Sequence, residues 1–94
     1  MKIVWSARAV RHLIAIRTFI AEENPKAANK IARRISDSVE HLAAHPHLGR
    51  GGRIAGTREL VIPDTPYVVP YRIHAGRLEI IAIFHGRQMW PDLL

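Results

Sequence analysis

The chain contains no cysteine. Disulfides, thiolate metal sites and a cysteine nucleophile are therefore excluded, which fits a reducing, cytoplasmic setting. No run approaches the roughly 20 apolar residues of a membrane span, so no membrane association is expected. The opening stretch MKIVWSARAVRH is interrupted by Arg8, Arg11 and His12 before an apolar core could reach signal-peptide length. Lysine is scarce: three against eleven arginines, with none after Lys30. From there onward every fixed positive charge is a guanidinium, the group suited to planar, bidentate contact with phosphate or carboxylate.

What is present suits one domain, residues 1–94, with a feasible but thin core. Apolar residues make up 48% of the chain, too many for a disordered segment. The net charge of +6 implies an acidic protein partner or a nucleic acid. The bland alternative is a genome that prefers arginine codons.

KIVW (2–5) reads as a first strand, and Ser6 can cap the helix that follows to Glu23, with Val10, Leu13, Ile14, Ile16, Phe19 and Ile20 at helical spacing. Asn24-Pro25 is an N-cap followed by proline at the first helical position. Ala28, Ile31, Ala32, Ile35, Val39 and Leu42 then repeat at i, i+3, i+4, i+7 as far as Pro46. Two long helices joined by a short turn form an antiparallel hairpin. HLGRGGRIAGT (47–57), with four glycines, is expected to be a loop without regular structure. Strands are expected at 58–62, 67–73 and 78–84, the last as one central strand. His74-Ala75-Gly76-Arg77 serves as a hairpin turn, and Pro70 must sit at a bulge or face outward. The order β-α-α-β-β-β gives an α+β domain, a small antiparallel sheet packed against a long helical hairpin.

Three groups of residues can carry chemistry. His41, His45 and His47 lie close together, but no thiolate or HExxH accompanies them, and neither a metal site nor a cofactor is expected. GRGGRIAGTR (49–58) sets three arginines among glycines; it is either a basic loop contacting a phosphate backbone or a plain surface loop. FHGRQMW (84–90) follows the most apolar strand, with Gly86 expected to permit a sharp bend. There His85 and Arg87 can converge with Arg58 and Arg72, near Tyr67, Tyr71 and Trp90. The cluster is either a site for an anionic partner or arginines satisfying exposed carbonyls around a core histidine.

The set ENPKAANKIARRI, LAAHPHLGR, TRELVI, YVVPYRI and LEIIAIFHGRQMWP, in this order behind an opening strand and helix, resembles the RelE/ParE family of bacterial type II toxins over nearly the whole chain. The resemblance implies a cytoplasmic growth inhibitor neutralised by a cognate antitoxin in a hetero-oligomeric complex. RelE-like members cleave mRNA on the ribosome, whereas ParE-like members inhibit DNA gyrase. Cleavage by the 2′-hydroxyl needs a base, an acid and cations. Arg50, Arg53, Arg58 and Arg87 can be the cations, and none can be the base. His85 can take one proton, with Arg58 and Arg87 as its catalytic companions, and no residue clearly takes the second role. Glu59 alternates to the face opposite Arg58, and Tyr71 is a poor base. The length of the hairpin and this deficit favour a gyrase-binding inhibitor whose contacts are Arg50, Arg53, Arg58, Arg72, Arg87 and Trp90. The alternative is a ribosome-dependent mRNA endonuclease.

Overall fold

The computed structural model describes residues 1–88. Strand β1 (Lys2–Trp5) runs into helix α1 (Ala7–Ala21), which a short turn joins to α2 (Pro25–His41). Both helices begin where their caps predict. The Ser6 hydroxyl accepts from Ala9 N at 3.0 Å, and Asn24 Oδ1 accepts from Ala27 N at 3.1 Å, each satisfying an otherwise orphan amide. Arg17 ties the hairpin by donating twice to Asn29 Oδ1. The buried row of α2, Ala28, Ile35 and Val39 with Leu42 just beyond, packs against the sheet. α1 contributes the fully buried Ala9 and the half-buried Leu13 and Ile16.

The remaining strands are β2 (Arg50–Gly51), β3 (Arg58–Val61), β4 (Tyr67–His74), β5 (Arg77–Ile80) and β6 (Phe84–His85). They form one sheet in the order β1-β5-β4-β3-β2, with β6 continuing on β4. The antiparallel pattern holds except at one edge, where β1 runs parallel to β5. The helical hairpin between them is the long connection that a parallel pair requires. Ser6 locks this register, its N–H donating to Ile80 O and its hydroxyl to Ile81 O. The tip of the β4–β5 hairpin has φ of 51° at Ala75 and 73° at Gly76, the two positive values of a primed turn.

Two expectations are corrected. The stretch 47–57 is not wholly irregular, because Arg50 and Gly51 pair with Glu59 and Arg58. Nor is 78–84 one strand. Tyr71 pairs with Ile80 and Val68 with Phe84, so Val69 and Pro70 face three residues, Ile81–Ile83. This is a β-bulge. Pro70 O accepts from Ile81 N, and since a residue's N–H and C=O point to the same side, the missing proline N–H falls opposite the bulge. The ladder is broken where Pro70 cannot supply a donor.

The main core lies between the hairpin and one sheet face. It contains Ile35, Val39, Leu42, Leu60, Ile62, Val69, Tyr71, Leu78, Ile80 and Ile83. Each fully buried aliphatic side chain there contributes roughly 1.5–3 kcal/mol. Val68, Ala82 and Phe84 form a smaller cluster.

Candidate functional site

Glu59 organises the basic loop. It lies on β3 opposite Pro70 and is only 2% exposed. Its Oε2 accepts the Arg53 backbone N–H at 2.7 Å, and its Oε1 accepts from Arg50 Nη2 at 3.2 Å. Arg53 Nε stands 3.6 Å from the same carboxylate, while its Nη2 reaches Gly86 O at 3.4 Å. A buried carboxylate needs such partners, and here they fold residues 50–53 toward the end of β6. Arg50, Arg53 and the Gly86–Arg87 segment are thereby gathered on one rim.

Arg58 is turned elsewhere. By strand alternation its side chain shares a face with Leu60, and its Nη1 donates to Gly49 O at 2.9 Å and His47 O at 3.3 Å. Beneath it the fully buried Tyr71 donates to Pro46 O and accepts from Gly49 N, both at 2.8 Å. Burial raises the Tyr71 pKa, partly offset by the Gly49 N–H and the Arg58 charge. A phenol held protonated and bonded on both sides is no proton carrier. Gly49 is obligatory, since a Cβ would lie 2.6 Å from the Tyr71 ring.

Arg72 pairs across strands with Glu79 on the face away from the helices, Nε to Oε2 at 2.9 Å. This bond chiefly holds the Glu79 carboxyl below its ordinary range.

His85 stands at the far end of β4 from Arg58. Arg58 pairs with Tyr71 and His85 with Tyr67, four residues apart, or about 13 Å along the strand. The His85 and Tyr67 rings meet edge to face at 6.3 Å. Nδ1 of His85 accepts the Arg87 backbone N–H at 3.2 Å, and the His85 backbone N–H donates to Gln88 Oε1 at 2.6 Å. Gly86 has no positive φ and room for a Cβ at ordinary contact distance, so the bend does not require glycine. Arg87 is exposed, and Trp90 lies outside the described residues.

A second imidazole, which the sequence reading missed, shares the cleft with His85. His12 on α1 lines it with Arg8, Ala15, Ile16, Tyr67, Ile83, Phe84 and Gln88, around about 670 Å3. His12 Nδ1 accepts the Ile83 N–H at 3.1 Å, and its ring lies 5.4 Å from Phe84. Burial, then Arg8 and Arg11, push its pKa below 6.5 against the opposing Ile83 bond, so the ring is neutral at pH 7. Both imidazoles thus have Nδ1 filled by a backbone amide. The neutral ring then carries its proton on Nε2, which is a donor and not a base.

A family model described as the ParE toxin of the type II toxin–antitoxin system parDE matches residues 3–90. The chain belongs to this family. The family model carries the ParE name, and a relative carries the RelE name. The chain is 44% identical over 93 residues to the putative toxin Y4kP of Sinorhizobium fredii, covering 99% of this chain and 96% of that protein. It is 36% identical over 88 residues to toxin RelE2 of Caulobacter vibrioides, covering 94% and 98%. Among solved structures, a chain of the chromosomal ParDE TA system from P. aeruginosa superposes with a TM-score of 0.83 at 26% identity, covering 90% of this chain and 95% of that one. The protein is therefore a RelE/ParE-family toxin of the type II class, with the sheet-on-hairpin fold of a ParDE component. No helix among the described residues is long and apolar enough to cross a membrane.

Proposed function

We propose that the protein arrests growth by binding DNA gyrase, without catalysing a reaction itself. The observation that carries this reading is the state of its two cleft imidazoles. His12 and His85 each give Nδ1 to a backbone N–H, and neither keeps a lone pair on Nε2 while neutral. Glu59 is buried between two arginines and Tyr71 is bonded on both sides. General acid–base cleavage needs a proton acceptor within reach of its substrate, and these groups are engaged. Likeness to a ParE family model supports the same branch. Arg50, Arg53 and Arg87, gathered beside Glu59 and Gly86, are the contacts we assign to the target. Arg58 and Arg72 serve mainly the fold, and Trp90 extends the same segment in sequence.

A cognate antitoxin is the second partner in this reading. Val10 and Ile14 form an exposed apolar pair on α1. Along β3, Ile62 N–H points to Tyr67 O, so by alternation Val61 turns its backbone outward, past the end of the two-residue β2. A groove of Asp37, Ser38, His41, Leu48, Val61 and Pro63 flanks that open edge. An antitoxin tail that folds on binding can use both surfaces.

The runner-up is a ribosome-dependent mRNA endonuclease, favoured by the relative named RelE2 and by the position of His85 in an open cleft. For His85 to act as a base, the Arg87 N–H must first release Nδ1. Transient expression separates the readings. Impaired supercoiling by purified gyrase, with intact mRNA on translating ribosomes, is expected. Codon-phased mRNA cuts with normal supercoiling would overturn the proposal.

A further inference from the structure

Beyond the arginine rim, the sheet face turned away from the helices carries a second set of cations. Lys2 on β1 pairs with Arg77 on β5, and Arg77 pairs with His74 on β4, so three basic side chains stand abreast across neighbouring strands. Their chain neighbours Ile3, Leu78 and Ile73 belong to the core, which places the row on the opposite face. All three side chains are exposed, and among the described residues none of them makes a hydrogen bond or an ion pair. Glu79, in the row behind, is already held by Arg72 at 2.9 Å. Neighbouring strands lie about 4.8 Å apart, and like charges directly opposite one another are destabilising. The fold bears a cost here that an anionic partner would offset. His74 lies seven residues along β4 from Tyr67, the partner of His85, or about 23 Å. Gln88, the last described residue, bonds His85, so the row stands far from that end of the sheet.

The same face joins this row to the arginine rim. Beside the Arg72–Glu79 pair, Ile54, Thr57, Ile80 and Ile81 line a cavity of about 370 Å3. Ile54 directly follows Arg53, so the rim, the cavity and the row form one band across the sheet. The chemistry of the band selects its occupant. A helix presents carboxylates at i, i+4 and i+7 about 5–6 Å apart, close to the strand spacing. An extended strand presents its same-face side chains about 6.6 Å apart, which fits the row less well. The isoleucine walls of the cavity call for an apolar side chain next to the acids. A phosphate backbone would supply charge to the row and nothing apolar to the cavity.

We infer that the segment of gyrase gripped by this toxin is an acidic amphipathic helix: its carboxylates lie on Lys2, Arg77 and His74, and one apolar side chain enters the cavity beside Ile54 and Ile81. The inference rests on the gyrase reading and extends the contact surface beyond Arg50, Arg53 and Arg87.

The test is binding of the full-length toxin to purified, DNA-free gyrase at low and at high salt. Arg77→Glu is expected to weaken binding about tenfold at low salt, mainly through slower association, and the gap should narrow as salt rises. Ile54→Ser should weaken binding severalfold at both salt concentrations, because it removes apolar contact and no charge. Folding is read separately from the melting temperature. A glutamate between Lys2 and His74 relieves the like-charge contacts, so Arg77→Glu should melt no lower than wild type. Weaker binding at an unchanged or raised melting temperature marks a contact residue. A lowered melting temperature would make Arg77 a structural residue and overturn the proposal. Unchanged binding in Arg77→Glu would overturn it while leaving the gyrase reading intact, whereas a wild-type toxin that does not bind gyrase would overturn both. Unchanged binding in Ile54→Ser would remove the cavity, and with it the amphipathic helix. Binding of duplex DNA by the toxin alone, lost in Arg77→Glu, would assign the row to phosphates instead.

Discussion

His12 Nδ1 accepts the amide hydrogen of Ile83, 71 residues away in sequence, at 3.1 Å. That amide belongs to the bulge opposite Pro70, where the strand ladder offers it no partner. The histidine therefore completes a sheet from a helix. His12→Leu should leave the amide unsatisfied and cost about 1–3 kcal/mol in chemical denaturation, whereas His12→Asn, which keeps an acceptor, should lose much less.

The same residue sets a pH dependence. Its folded pKa lies below the unfolded 6.5, so the unfolded chain takes up the proton first. Its contribution is complete above pH 6.5 and is lost as pH falls from there through the folded value. A melting-temperature series should therefore be flat in this contribution above 6.5 and decline below it, with a shallower decline in His12→Asn. Parallel declines in both proteins would assign the effect to another group.

Glu59 is the anchor of the arginine loop. Glu59→Ala should take the carboxylate from the Arg53 amide and from the Arg50 and Arg53 guanidinium groups, destabilising the protein by about 1–3 kcal/mol. Hydrogen exchange should accelerate at residues 52–57 before it does in the helices. If exchange there is unchanged, the loop is held by something other than this carboxylate.

Two arginines assigned together from the sequence should separate by experiment. Arg58→Ala loses bonds to Gly49 O and His47 O and should lower the melting temperature. Arg87→Ala lies at an exposed side chain and should leave the melting temperature unchanged while weakening gyrase inhibition. A stability loss at Arg87 with none at Arg58 would reverse these assignments.

Tyr71→Phe removes the hydroxyl shared by Pro46 O and Gly49 N, and both groups are then left without it. A loss of about 1–3 kcal/mol is expected. Gly49→Ala must displace the Tyr71 ring and should be at least as damaging. Equal denaturation midpoints for wild type and Tyr71→Phe would show that water replaces the hydroxyl.

The helices were legible because their signals are local. Ser6 and Asn24-Pro25 announce the two starts, and the row from Ala28 to Leu42 announces the buried face. The primed turn at Ala75-Gly76 was legible for the same reason. The bulge was half legible: Pro70 demanded an irregularity, but LEIIAIF carries no mark of where the partner strand yields. The parallel pairing of β1 with β5 depends on residues some 75 positions apart and has no local signature. His12 stands out in the sequence only as a break in the apolar opening stretch, since an amide orphaned far along the chain leaves no trace beside it. Alternation placed Glu59 away from Arg58, yet its burial follows from the loop folding over it. The convergence anticipated for Arg58, Arg72 and His85 needs side-chain directions that spacing does not encode. Arg72 faces away from the helices, and Arg58 and His85 pair with Tyr71 and Tyr67, four residues apart along β4.

The ion pairs have one more implication. Among the described residues after α2, the carboxylates are Glu59, Asp64 and Glu79, and each already holds a guanidinium, from Arg50 and Arg53, Arg34 and Arg72 respectively. An approaching acidic molecule therefore meets little opposing field from these described residues of the sheet half. The cations left over steer it inward over a Debye length, about 8 Å at physiological salt, and the speed of encounter becomes the quantity most sensitive to ionic strength.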